Sequence, residues 1–158
     1  MTKIDQQHVW DMIEGIHICM FITWDGARQS ARPMAAMPRH DEHAIYFFTD
    51  THAEKDGQIE QFPIVTLAFV DQSKNDYVSL TGTATLSNDR AKIEELWSPM
   101  MKSFWDGHED PSIRLIKVVP EDAQAWDSPH NIVATIKMAA AAVGIGKPDL
   151  GDSGKVTM

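Results

Sequence analysis

Apolar and polar side chains alternate most regularly between residues 77 and 86 of the chain. A period of two places successive side chains on opposite faces of a β-strand. Val78, Leu80, Ala84 and Leu86 are therefore predicted to face a hydrophobic core. Gly82 interrupts this apolar row, and it predicts a local bend in the strand.

Shorter apolar segments predict further strands, because turn-forming residues separate them. Their predicted ranges are 16–23, 27–37, 45–49, 64–70, 113–119, 123–126 and 132–136. Asp25 and Gly26 lie between the first two strands, and this dipeptide favours a tight hairpin. Pro33 has no N–H to donate, so the second strand is predicted to lie at a sheet edge or to carry a bulge.

Helices are predicted where a capping residue precedes a stripe of apolar side chains. The first begins at Thr2, with Asp5 as its capping-box partner, and ends at Gly15. The second runs from Thr51 to about Gln61. The remaining helical segments are a helix capped by Ser87 or Asn88, a turn over 100–105 and a short helix over 138–143.

These elements predict an antiparallel β-barrel with peripheral helices. Six to eight strands follow one another mostly through hairpins, and the chain lacks the alternating strand–helix order of a parallel sheet. A length of 158 residues suits a single domain over residues 1–158. The Gly-rich and charged segment 147–158 is expected to be a loose tail.

The charge of the chain narrows its possible partners. Lys and Arg together number 14 and Asp and Glu 23, which gives a net charge of −9. Such a surface repels nucleic acids and anionic membranes, so neither is an expected partner. Cys19, the single cysteine, lies in an apolar segment and is predicted to be an inert core side chain. No signal peptide is apparent, and a cytoplasmic location is expected.

The stretch from Gly26 to His40 is basic in this acidic chain. It carries Arg28, Arg32 and Arg39 and no acidic residue, and Thr49 and Lys55 follow further on. Guanidinium, ammonium and hydroxyl groups beside a helix N-terminus form a set that binds a phosphate dianion. The alternative interpretation is that these are scattered basic residues on the surface.

Three segments of the chain resemble the flavin-binding half of the pyridoxamine 5′-phosphate oxidase-like split barrels. They are Arg32-Pro33-Met34, Tyr46-Phe47-Phe48-Thr49, and Glu54-Lys55 followed by Ile59. Later stretches resemble the general stress protein branch of this family. They are Tyr77-Val78-Ser79, Gly82-Thr83-Ala84, Asp89-Arg90, residues 93–99, Asp110-Pro111, residues 125–129 and Gly154-Lys155-Val156.

The resemblance implies a mainly β protein, an antiparallel six-stranded split β-barrel that binds FMN at the interface of a homodimer. The residues that it assigns to FMN are Arg32, Pro33, Met34, Ala35, Phe48, Thr49, Lys55, Tyr77 and Trp126. In this assignment Arg32 and Lys55 bind the phosphate, and Tyr77 lies near the flavin ring. Trp126 reaches the flavin from the partner chain, although a buried aromatic in the core is an equally good interpretation of that residue.

The chain departs from the true oxidases of this family after Trp126. Those enzymes have an Arg-x-His and a further arginine there, which hold the vitamin phosphate, whereas residues 127–136 contain no arginine. Their tyrosine, arginine and serine group also has no counterpart in residues 97–105. The resemblance therefore implies an FMN-binding general stress protein that is not a pyridoxamine 5′-phosphate oxidase.

Three functions remain compatible with these features. The first is a flavin-dependent oxidoreductase that acts on an unidentified small molecule, with catalytic residues unknown. The second is a non-catalytic flavin carrier or sensor in a stress response. The third is a protein that binds haem or deazaflavin, as some related split barrels do. No metal site is predicted, because His40–His43 and the acidic loop at 106–110 are typical of solvated turns.

Overall fold

A computed structural model describes residues 4–52, 54–127 and 152–158, apart from the side chains of residues 54–56 and 152. The three helices are α1 (Gln6–Ile16), α2 (Glu54–Gln61) and α3 (Arg90–Leu96). The strands are β1 (Ile18–Trp24), β2 (Gln29–Ala35), β3 (Met37–Arg39), β4 (Ala44–Asp50), β5 (Ile64–Asp71), β6 (Asp76–Ser87), β7 (Ile113–Asp127) and β8 (Asp152–Thr157). Two 3₁₀ turns cover His40–Glu42 and Pro99–Ser103. The elements predicted over 132–136 and 138–143 lie outside the described residues.

Every described pair of neighbouring strands is antiparallel. The strand order is β2-β1-β5-β6-β7-β4-β3, and β8 pairs with β7. β2 and β3 lie at opposite ends of this order, yet only Ala36 separates them in the chain. The sheet must therefore curl so that its two ends meet, which confirms the predicted antiparallel barrel-like fold. The described residues form eight strands where the resemblance implied six.

The alternation in β6 has the predicted structural effect. Val78, Leu80 and Ala84 are buried, and Leu86 packs against the core. Opposite Gly82 the register with β7 shifts, which confirms the predicted irregularity. A Cβ atom at Gly82 would lie 2.6 Å from a backbone carbonyl oxygen of β7, so a larger residue does not fit there.

The hydrophobic core fills the inside of the curled sheet. Phe21 of β1 and Phe47 of β4 meet edge to face, with ring centroids 5.0 Å apart. Trp10 of α1 covers this core and is fully buried. Cys19 is buried in the same cluster, and burial raises the pKa of its thiol to about 12. The prediction of an inert core cysteine is thus confirmed.

β4 has both faces buried, which places its last residues between two clusters. Ile45 and Phe47 face the main core. Tyr46 and Phe48 face a second cluster that α3 covers with Ile93 and Leu96 and that includes Met101 of the 3₁₀ turn. Beyond α3 the chain therefore lies beside the end of β4.

The tail prediction was wrong for the last residues of the chain. Residues 152–157 form β8, which pairs with β7 from Asp122 to Asp127. The side chains of Val156 and Met158 pack against the main core. The Gln6 side-chain amide also donates to the carbonyl of Thr157 at 2.7 Å. The backbone pairing and the two apolar contacts thus hold a segment whose composition alone favours a loose tail.

Several element boundaries also differ from their predictions. Asp5, not Thr2, caps α1, since its carboxylate accepts from the backbone N–H of His8 at 2.9 Å. Asp89, not Ser87 or Asn88, caps α3 in the same way through the backbone N–H of Lys92. The strands predicted over 113–119 and 123–126 are one strand, β7, bent at the register shift near Gly82. None of the described helices is long and apolar enough to cross a membrane.

Candidate functional site

A cavity of about 600 Å³ lies where β2, the end of β4 and the second 3₁₀ turn meet. Its volume falls within the range of small-molecule sites. β2 is the first strand in the sheet order, so residues from both of its faces border the cavity. The lining residues are Ile18, Arg32, Pro33, Met34, Ala35, Phe48, Thr49, Asp50, Met100, Met101, Phe104 and Trp105.

Six of the nine residues that the sequence assigned to a cofactor line this cavity. They are Arg32, Pro33, Met34, Ala35, Phe48 and Thr49. Lys55 lies in the first turn of α2, and its side chain is outside the described residues. The structure therefore brings the predicted β2 and β4 residues together, although they are far apart in sequence.

Tyr77 and Trp126 do not line the cavity of their own chain. They lie directly opposite each other in the register of β6 and β7. Trp126 is 37% exposed, so the alternative interpretation as a core aromatic is wrong. The resemblance assigns Trp126 to the flavin of a partner chain, and that assignment stays a prediction.

The guanidinium of Arg32 is held in place before any ligand arrives. Its Nη2 donates to the Thr23 hydroxyl at 3.0 Å, and that hydroxyl donates to Gln58 Oε1 at 2.5 Å. Thr23 is buried on β1, whereas Gln58 belongs to α2. One row of hydrogen bonds therefore links β2, β1 and α2.

The basic stretch as a whole does not converge on the cavity. Arg28 is exposed at the turn between β1 and β2. Arg39 donates to the carbonyl of Pro38 and lies near the carboxylate of Glu42. Among the three arginines of this stretch, Arg32 alone lines the cavity. The interpretation as scattered surface residues thus holds for Arg28 and Arg39.

Asp50 is a cavity residue that the sequence did not single out. Its carboxylate accepts from the backbone N–H of His52 at 2.9 Å and from the Trp105 indole. The bond from His52 is the largest cause that lowers the pKa of Asp50 below its usual value, so this carboxyl is ionised at neutral pH. Its position at the end of an apolar strand was the only available signal.

Aromatic rings form part of the cavity lining beside the β2 residues. The Trp105 ring lies edge-on to Phe48, with centroids 6.2 Å apart, and tilts against Phe104 at 5.8 Å. Phe48 also stacks on Trp97, with centroids 6.3 Å apart. The sequence predicts a turn over 100–105, but nothing in the spacing of its apolar residues shows that they border a site.

Arg90 fixes the loop that follows this turn. Its guanidinium donates to four backbone carbonyls. They belong to His108, Asp110, Pro111 and Ile113. A single side chain thus satisfies the backbone of the acidic loop, and it fixes the loop between Trp105 and β7.

The histidines predicted to lie in a solvated turn have protein neighbours instead. The His40 ring stacks on Trp10 with centroids 4.9 Å apart. Nε2 of His43 lies 3.2 Å from the carbonyl oxygen of Pro120. Among the described residues, no three His, Cys, Asp or Glu side chains are grouped as a metal site.

The fold and the cavity define a class of small antiparallel barrel-like β-proteins with a cavity beside an edge strand. Residues 5–149 match the family model described as pyridoxamine 5'-phosphate oxidase like, and the chain belongs to this family. The match covers nearly the whole chain, including residues on every side of the cavity.

Two curated proteins are similar in sequence. General stress protein 26 of Bacillus subtilis is 24% identical over 84% of this chain and 96% of its own length. Protein bli-3 of Neurospora crassa is 26% identical over 66% of this chain, which spans only 54% of that longer protein.

Solved structures share the fold. The Jannaschia sp. CCS1 protein that carries the general stress protein 26 name has a TM-score of 0.77 and 25% identity, over 94% of this chain and 95% of that one. The general stress FMN/FAD binding protein of Xanthomonas citri has a TM-score of 0.68 and 26% identity, over 77% of this chain and 87% of that one. These similarities agree with the family that the sequence motifs suggested.

Proposed function

We propose that the protein is an FMN-binding general stress protein that uses its flavin as an oxidoreductase on a small molecule. The observation that carries this proposal is the cavity, which combines one fixed arginine with an apolar lining beside an edge strand. The Xanthomonas protein named for FMN and FAD binding supports a flavin as the ligand.

The phosphate of FMN would lie at the end of the cavity near Arg32 and Thr49. Both residues line it, and α2 begins a few residues after Thr49. Helix N-termini favour anions, and an arginine binds phosphate through charge-assisted hydrogen bonds. Lys55 lies in the first turn of α2 and is proposed to contribute a second positive charge.

Asp50 opposes this charge and therefore limits where the phosphate can lie. Its ionised carboxylate borders the same cavity, on the side of Trp105. Like charges repel strongly where water is partly excluded. The phosphate is therefore expected on the Arg32 side of Thr49, away from Asp50.

The flavin ring would lie along β2. Pro33, Met34 and Ala35 border the cavity, and the described sheet pairs β2 on one side only. The other edge of such a strand carries unpaired backbone N–H and C=O groups. These groups match the carbonyl and N–H groups on the edge of the flavin ring, whereas the side chains supply apolar contacts to its face.

A homodimer would complete the site. Exposed apolar side chains of β1, β5 and β7 lie on the outer face of the sheet, and we name this group the outer patch: Met20, Trp24, Val70 and Trp126. Exposed apolar groups of this kind mark protein contacts. A two-fold dimer through the outer patch would bring Trp126, and Tyr77 beside it, towards the partner's cavity.

Titration of the purified protein with FMN, FAD and riboflavin tests the cofactor. FMN is expected to bind with quenched flavin fluorescence and more tightly than riboflavin, because only FMN has a phosphate for Arg32. FAD is expected to bind more weakly than FMN, because its phosphate carries a further group. The cofactor proposal is wrong if no flavin binds at micromolar protein concentration.

Sedimentation tests the assembly. The dimer is expected at about 35 kDa, twice the 17.7 kDa chain. Trp126→Ala is expected to weaken FMN binding although Trp126 does not line the cavity of its own chain. A monomer that binds FMN fully would contradict the interface site.

A further inference from the structure

The second 3₁₀ turn presents large apolar side chains at the mouth of the cavity. Phe104 is 75% exposed and Met100 60% exposed, although both border the cavity. Met101 and Trp105 lie beside them in the lining. Such side chains are costly to leave in water, and a contiguous group of them marks a binding surface. We call these four residues the turn wall.

The described charges near the turn wall disfavour an anion. Among the described lining residues only Arg32 and Asp50 are charged. Arg32 is assigned to the flavin phosphate, and the ionised Asp50 carboxylate accepts from the Trp105 indole of the turn wall. An anion on the turn wall would therefore lose hydration and face the negative charge of Asp50. The net charge of −9 further disfavours an anion.

The rings at this wall form an angled corner. Phe104 and Trp105 tilt at 51°, whereas Phe48 and Trp105 are nearly perpendicular at 80°. A planar ring can therefore stack on one of them and contact the edge of another, which are the favoured geometries of aromatic pairs. Met100 and Met101 add flexible thioethers that adapt to flat rings.

We propose that the turn wall binds a neutral aromatic molecule as the small-molecule partner of the flavin. This inference rests on the proposed function, because it assigns the β2 side of the cavity to FMN and the turn wall to the second ligand. Ring shape and the Asp50 carboxylate determine what binds: planar, uncharged compounds are accepted, and their anionic analogues are rejected.

Calorimetric titration tests this assignment with two probes of the same shape. They are 1,4-naphthoquinone, which is neutral, and 1,4-naphthoquinone-2-sulfonate, which is an anion. Both are titrated into FMN-loaded protein and into flavin-free protein. Sodium chloride at 0.5 M screens the long-range repulsion by the chain, so that the remaining preference reports the cavity itself. We expect the neutral probe to bind both forms, and to bind FMN-loaded protein, in which the flavin phosphate occupies Arg32, about tenfold more tightly than the anion does, or better.

Substitutions locate the bound probe. Phe104→Ala and Met100→Ala are each expected to weaken the neutral probe about fivefold and to leave FMN affinity unchanged. Phe104→Arg is expected to reverse the preference towards the sulfonate, because it places a cation at the mouth. Val119→Ala is the matched control, since Val119 is an exposed apolar residue of β7 outside the lining.

The possible failures are distinguishable. If FMN does not bind while the neutral probe binds flavin-free protein through Phe104, the cofactor proposal fails and the turn wall assignment stands. If FMN abolishes binding of the neutral probe, the flavin itself fills the turn wall and this inference is overturned. It is also overturned if the sulfonate binds FMN-loaded protein as tightly as the neutral probe does. A further contrary result is that the Phe104 and Met100 substitutions alter sedimentation without altering probe affinity, which would assign these side chains to a protein contact.

Discussion

Replacing Arg32 by alanine tests the central feature of the site. Among the described residues, Arg32 is the only arginine that lines the cavity, and the Thr23 hydroxyl holds its guanidinium at 3.0 Å. Because this side chain is already ordered, a bound phosphate gains the ionic hydrogen bond with little further loss of rotamer freedom. The affinity lost in the variant is therefore expected to reflect the full free energy of a charge-assisted contact.

The expected magnitude follows from that contact. Hydrogen bonds to charged groups contribute about 1.5–3 kcal/mol. Each ~1.4 kcal/mol corresponds to a tenfold change in affinity, so Arg32→Ala is expected to weaken FMN binding by about 10- to 150-fold. Riboflavin, which has no phosphate, is expected to lose far less.

Fluorescence titrations of FMN and riboflavin against the wild type and the variant measure both losses. Arg28→Ala is the matched control: it removes the same unit of charge, but Arg28 is exposed at the turn between β1 and β2. If FMN and riboflavin lose affinity equally, Arg32 does not bind the phosphate. If Arg28→Ala has the same effect as Arg32→Ala, the loss reflects the overall charge of the chain rather than a contact.

Four further predictions concern stability and substrate choice. Gly82→Ala is expected to lower the free energy of unfolding in urea by about 1–3 kcal/mol, since its Cβ would lie 2.6 Å from a backbone oxygen, whereas Gly15→Ala has open space and should not. Arg90→Ala leaves four carbonyls without their guanidinium partner, and we expect a loss of about 2 kcal/mol or more in the same measurement. Burial, followed by the charge of Asp127, raises the pKa of Asp76 from 3.8 to about 6. The folded state then retains a proton that the unfolded state releases, so the contribution of Asp76 to stability falls as pH rises from about 4 to 6. Asp76→Asn should remove this contribution, and equal pH profiles of stability for the two proteins would contradict the prediction. FMN-loaded protein is expected not to oxidise pyridoxamine 5′-phosphate, and formation of pyridoxal 5′-phosphate at ~1 per second or faster would refute this.

Local sequence patterns predicted most of the strands because each pattern reports a local property. The alternation in β6 indicates which face of the strand is buried, and Gly82 indicates that the backbones of β6 and β7 approach closely. Pro33 correctly indicated an edge strand, because a residue without an N–H fits where no neighbour needs one. Each of these signals depends on the residue itself, so contacts with distant parts of the chain do not change it.

The parts that sequence analysis missed depend on contacts between distant residues. β8 forms because β7 offers a free edge, and nothing within residues 152–157 reports that edge. The bond between Asp50 and Trp105 joins positions 55 residues apart, so neither residue alone suggested a role. Arg28 and Arg39 belong to the same basic stretch as Arg32, yet their backbone positions direct them away from the cavity. Of three arginines that are close in sequence, therefore, only one contributes its positive charge to the cavity.

The charges of the described lining explain why a flavin phosphate and a phosphorylated substrate are not both expected here. The described lining offers Arg32 as its only positive side chain and Asp50 as a fixed negative one. Once a flavin phosphate occupies Arg32, a second phosphate would face the carboxylate of Asp50 and the net charge of −9 without a partner. The uncharged turn wall has no such conflict. The same arrangement of charges that favours FMN at one end of the cavity thus favours a neutral partner at the other.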